Sequence, residues 1–266
     1  MGRYAGRMSQ APHVEHDAPG VQPGSTPAAE PGAPATAPSG GGASIADTTE
    51  LLALVAQIES VAFLRIAGAA TAAPDPSSRL RLARLAGAAL ARQETILRRI
   101  AELEGDADAA DELMLSLDAT FDDYDQRTQP SSWWEEILKS YVGHGVAVDF
   151  CRIVAGALDP QSREIIMGVI EDGMASERSI EVLDRATTDD EVLASRLALW
   201  GRRLVGEALS LVQSLLADRP SLSRLLATAI DQRFSEDERP ADHTSWLFGQ
   251  LTAEHTRRMG RLGLAA

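Results

Sequence analysis

The sequence predicts an all-α protein, an antiparallel four-helix bundle with additional helices packed around it. Three observations carry this expectation. Ala and Leu are abundant while aromatic residues make up only 5% of the chain, which suits close-packed helices better than sheets. Apolar residues recur at helical spacing in run after run, and no segment alternates apolar and polar for long enough to make a strand. Caps, prolines and glycines punctuate those runs at short intervals, so neighbouring helices are joined by short loops and lie antiparallel.

The elements follow in order. Residues 1–45 are rich in Pro, Gly, Ala and Ser and nearly lack large apolar side chains, so they read as a disordered tail; His13 and His16 fall within it. The folded domain spans 46–266. Ser44 or Asp47 caps a first helix to about residue 70, with Leu51, Leu54, Val55, Ile58, Ala62 and Ile66 on one stripe. The run PDPSS at 74–78 breaks the chain before a second helix, about 79–104, which Gly105 ends. An acidic third helix is expected over about 108–127. Ser132 caps a fourth, which starts at Trp133 and Trp134 and continues to about residue 158; Gly143 and Gly145 predict a kink or a close approach within it. Asp159-Pro160 opens a helix to about 186, Asp189 or Asp190 another to about 217, and Pro220 a shorter one to about 234. The acidic link SEDERPAD precedes a last helix over about 244–262.

Composition excludes several function classes. The net charge of -14 repels a phosphate backbone, so nonspecific nucleic-acid binding is not expected. The single cysteine, Cys151, rules out an internal disulfide and reads as a small core residue of a protein kept in a reducing compartment. No run of about 18 uncharged apolar residues is apparent, and the N-terminus lacks the pattern of a secretory signal, so a cytoplasmic location without membrane association is expected.

The chemistry-bearing residues are acids on inner helix faces. Glu59 has Val55, Ala62 and Ile66 as its helical neighbours. Asp149 has Gly145, Val146 and Ile153, Asp172 has Gly168, Val169 and Ala175, and Glu207 has Leu204 and Leu211. Carboxylates repeated on facing helices are the framework of a di-iron bundle, in which two helices each give one Glu and two others each give an acid-x-x-His pair. No histidine stands three residues after any acid in this chain. Three arrangements remain open: acids at the core edge paired with surface arginines, an internal arginine–acid cluster centred on Arg92, or an intact metal site. His144 and His255 are unconventional ligand candidates, but a solvated or capping role fits each better. On the WGRRLVGEAL segment, Trp200, Leu204 and Leu211 are expected on the buried face, with Arg202 or Arg203 reaching Glu207.

Four stretches carry a family resemblance: ELLALVAQIESVAF near the start, then LKSYVGHGVAVDF, RLALWGRRLVGEAL and LTAEHTRRMGRLGLAA. Over residues 48–266 the chain resembles actinobacterial ferritin-like proteins named for similarity to tRNA-(2-methylthio-isopentenyladenosine) hydroxylase. The resemblance implies a ferritin-like fold and an ancestral di-iron site. It also implies that Glu59, Asp149 and Asp172 match presumed metal ligands, whereas Ala89, Arg92 and Ala175 stand where the family carries the others. No bound cofactor is therefore expected. The function expected is that of a degenerate ferritin-like protein acting through an unknown protein partner, with homo-oligomerisation possible. The alternative is a non-haem di-iron hydroxylase with an altered shell drawn from His144, His255 and Glu207.

Overall fold

Serine, aspartate and proline decide where the helices begin. In the computed structural model, which describes residues 42–106, 108–174, 183 and 186–266, Ser44 caps α1 (Ile45–Thr71) by accepting from the Asp47 amide at 3.1 Å. Asp75 caps α2 (Pro76–Glu104), and Gly105 closes it in the left-handed region at φ 70°. The helix starts at Pro76 rather than near 79, because proline is well suited to the first helical position once Asp75 supplies the cap. The expected tail, with His13 and His16, lies almost wholly outside the described residues.

The acidic stretch after α2 is not the single helix expected. It divides into α3 (Asp108–Leu115), a 3-10 turn (Asp118–Phe121) and α4 (Asp122–Arg127). The Ser116 hydroxyl donates to the Leu113 carbonyl at 2.8 Å, a local bond that competes with continuing the helix. The break lets Leu117, Phe121 and Tyr124 all reach the core.

Ser132 caps α5 (Trp133–Val154). This helix runs unbroken through Gly143 and Gly145, so those glycines serve close packing rather than a kink. A 3-10 turn (Ala155–Ala157) leads to α6 (Pro160–Met174), where Asp159 accepts from the Ser162 amide at 3.0 Å. The expected continuation over 175–182 lies outside the described residues. Asp190 caps α7 (Glu191–Asp218), Pro220 starts α8 (Pro220–Arg233), and Asp242 caps α9 (His243–Gly260).

Four helices form the bundle. Helix α1 lies along α2 and α5, and α6 touches α1, α2 and α5, so the order around the bundle is α1, α2, α6, α5. Helices α7, α8 and α9 pack outside this ring, α7 and α9 chiefly on α5 and on each other. Helix α1 is the centre of the core. Every residue from Leu51 to Glu59 is buried, so this helix is apolar nearly all round rather than on one stripe. That composition corrects the expectation that no segment could span a bilayer. Among the described residues α1 alone is long and apolar enough to do so, with a mean hydropathy of 1.7, although 56% of that window is buried by the other helices.

Candidate functional site

The inward-facing acids are each met by a guanidinium. Glu59, on α1, is 1% exposed. Arg92, reaching across from α2, donates to its Oε2 from Nε at 3.0 Å and from Nη2 at 2.7 Å. Burial pushes the Glu59 carboxyl above the ordinary carboxylate range, and the bonds from Arg92 only partly offset it. Ala89, one turn before Arg92, is fully buried and presents only a methyl group. Cys151 is buried in the same core, and burial together with the Glu59 charge raises its thiol far above the reactive range.

Asp149, on α5, is also buried and has two arginine partners. Arg152 donates to Oδ1 at 3.1 Å and Arg258, from α9, donates to Oδ2 at 2.5 Å. Arg258 fits only because residue 145 is glycine: a Cβ there would overlap the Arg258 guanidinium. A methyl at Gly143 would meet the Tyr124 hydroxyl in the same way, and one at Gly201 would meet Met259.

Two expected inner-face acids lie off the centre of their buried stripes, Asp172 at the mouth of a cavity that Arg92 also lines. Asp172 is exposed. The buried stripe of α6 is Ser162, Ile166, Val169 and Ile170, and position 172 stands about 100° off that stripe, at about 100° per residue. Its partner position, Ala175, lies outside the described residues. Glu207 is half-buried on the flank of α7 and faces Arg127 at 3.6 Å, not Arg203. Arg203 instead lies over the Trp200 ring at 5.6 Å and donates to the Arg127 carbonyl. Trp200 itself is half-buried, with Nε1 donating to the Glu135 carbonyl at 3.1 Å. Leu204 is fully buried, but Leu211 is only partly so.

Neither His144 nor His255 caps a helix, and His255 is buried while His144 is half-buried. His144 Nδ1 and both ring nitrogens of His255 are shielded from solvent and find no partner among the described residues. His144 lines a cavity of about 280 Å³ between α1, α2, α5 and α7. Its walls are mostly apolar, among them Leu54, Ile58, Phe121 and Val212, but Arg65, Arg92 and Arg258 also line it.

The family model for the ferritin-like domain of actinomycetes matches residues 44–229. The chain belongs to this family. No curated protein matches it. The ferritin-like fold implies a carboxylate-held metal pair, and the donor set at the corresponding place does not fit one. Glu59 and Asp149 are engaged by guanidinium groups, Ala89 offers no donor, and Asp172 faces solvent. Among the described residues no three His, Cys, Asp or Glu side chains converge on a point where they could hold a metal ion.

His144 and His255 of this ferritin-like chain are held at about 4, below the ordinary imidazole value of 6.5. Burial is the main cause in each. Arg92, Arg258 and Arg65 add to it at His144, and Arg258 at His255. In the unfolded chain these groups titrate near 6.5, so between about 4 and 6.5 the unfolded state binds protons that the folded state does not. Stability is therefore expected to be retained above that window and to fall as pH drops through it. Urea midpoints at about pH 7 and about pH 5 measure this, and replacing His144 and His255 together by Gln should flatten the difference.

The cavity, and its arginines other than Arg92, are what sequence reasoning missed. Arg258 carried a usable signal. Leu247, Leu251, His255, Arg258 and Leu262 recur at helical spacing and are all buried, so the LTAEHTRRM stretch placed an arginine on an inward stripe. Arg65 carried none: it sits among half-buried positions of α1 and is fixed by Asp125, sixty residues away, at 2.5 Å.

Proposed function

We propose that in this ferritin-like chain arginine–carboxylate pairs have taken the place of the metal pair, and that the protein acts by binding a partner rather than by oxygen chemistry. The observation that carries this reading is the paired donation from Arg92 to the buried Glu59. A permanent cation held inside the bundle neutralises the acid that a metal would otherwise neutralise, and arginine cannot lose its proton to leave the site open. The similarity of the helix motifs to the tRNA-hydroxylase-like group supports descent from a di-iron ancestor. On this reading the protein is cytoplasmic, and its partner is another protein or a second copy of the chain.

The rival reading is a hydroxylase with a rebuilt shell of His144, His255 and Glu207. It needs Glu207 as a ligand, yet that carboxylate lies on the flank of α7 against Arg127. Oxygen uptake separates the two. Purified protein supplied with ferrous iron and a reductant should consume oxygen no faster than free iron under the same conditions. Uptake that scales with protein concentration and turns over repeatedly would overturn the reading.

A further inference from the structure

Buried polar groups in folded proteins nearly always have hydrogen-bond partners, because a buried donor or acceptor left unmatched has lost its water for nothing. In this protein the orphans, His255 apart, gather in one place. Arg65 Nε, Tyr124 Oη, Ser140 Oγ, Tyr141 Oη, His144 Nδ1 and Arg258 Nη1 are all buried without a partner among the described residues. All six side chains line the same cavity of about 280 Å³. Ser140, Tyr141 and His144 come from one stretch of α5. Tyr124 packs against Gly143 of that stretch, and the Arg258 guanidinium lies over Gly145. Apart from Arg92, Asp172 and Arg261, the rest of the wall is apolar.

We infer that this cavity is a binding site for an amphiphilic monoanion, a carboxylate on an apolar chain, whose oxygens accept from these unpartnered donors. Chemistry selects each part of that description. The two arginine atoms can only donate, and the three hydroxyls can donate, so the missing group is an acceptor. Four arginines line the cavity, Arg65, Arg92, Arg258 and Arg261, against a single acid, Asp172, so the acceptor is anionic. Three of those arginines already face an acid of their own: Asp125, Glu59 and Asp149. Asp125 is shared with Lys139 and Asp149 with Arg152, so a small positive excess remains around the cavity, which suits one charge and not a polyphosphate. Burial keeps His144 neutral first, and the positive charges of Arg92, Arg258 and Arg65 beside it act in the same direction. The apolar wall calls for an apolar body, and the volume suits roughly ten non-hydrogen atoms. Ala88, Asp172 and Arg261 are the exposed lining residues and mark where the cavity meets solvent.

Anion binding in this cavity does not depend on whether the bundle holds metal. Titration calorimetry of the full chain with octanoate, in buffer containing a chelator, tests it. Saturable binding of one octanoate per chain is expected, with octan-1-ol at least about tenfold weaker, since the alcohol cannot accept charge-assisted bonds. Tyr124→Phe and Tyr141→Phe remove hydroxyls that have no partner among the described residues. The double variant should therefore melt no lower than the parent yet bind octanoate about tenfold more weakly. Three results would each overturn the proposal: no saturable octanoate binding, octan-1-ol binding as tightly as octanoate, or undiminished binding by the double tyrosine variant. Because chelator is present throughout, a metal found in the protein would count against the preceding reading and leave this one standing.

Discussion

Replacing Arg92 by Ala is expected to lower the free energy of unfolding by about 3–5 kcal/mol, the usual cost of stranding one member of a buried ion pair. Glu59 is 1% exposed and the Arg92 side chain 13%, so water reaches neither well enough to stand in for the other. Burial already raises the Glu59 carboxyl against the pull of Arg92. Without the guanidinium it rises further, and the acid takes up a proton in place of its partner. The sign of the pH dependence follows. A carboxyl whose folded value lies above its unfolded one is least costly when protonated, so the deficit of Arg92→Ala should grow from about pH 5 to about pH 8. Urea denaturation at the two pH values measures both quantities. Arg92→Lys, which keeps the charge but not the two-pronged geometry, should fall between the parent and the alanine variant.

Replacing Gly145 by Ala is expected to destabilise the fold by about 2–4 kcal/mol, against the ordinary gain of up to about 1 kcal/mol for Gly to Ala inside a helix. The new methyl would occupy the place of the Arg258 guanidinium. The Arg258 side chain is only 7% exposed, and Asp149 is the acid it pairs with, so moving it breaks that bond. Arg152 still reaches Asp149, which keeps the loss below that of a fully stranded charge. Gly87, inside α2, is the control, since a Cβ there would meet nothing within 4 Å. Gly87→Ala should raise the urea midpoint while Gly145→Ala lowers it.

Helix positions were largely legible because caps and breakers act locally. Ser44, Asp75, Ser132 and Asp190 each hold the amides of the next turn, and each is recognisable from its neighbours in the chain alone. The split of the 108–127 stretch was not, since it depends on Leu117, Phe121 and Tyr124 finding the core together. Glu59 was legible because Val55, Ala62 and Ile66 stand at helical spacing around it and place it on the buried stripe of α1. Asp149 was legible as a buried acid, but its partner Arg258 stands 109 residues away, on a helix whose placement no local pattern specifies. Asp172 and Glu207 show the opposite failure. Their apolar neighbours at helical spacing lie on the edge of a buried stripe, and periodicity alone does not separate an edge from a centre. The cavity was invisible in the sequence, because its donors come from separate segments of the chain that only the packed bundle brings together.

If guanidinium groups occupy the charge environment that a metal pair would need, the full chain should carry no such pair even when iron is plentiful. Elemental analysis of protein expressed in iron-rich medium and purified without chelator decides this. The expected result is iron and manganese well below one ion per chain, with Arg92 and Arg258 held on Glu59 and Asp149. A tightly bound pair of metal ions in every chain would contradict it.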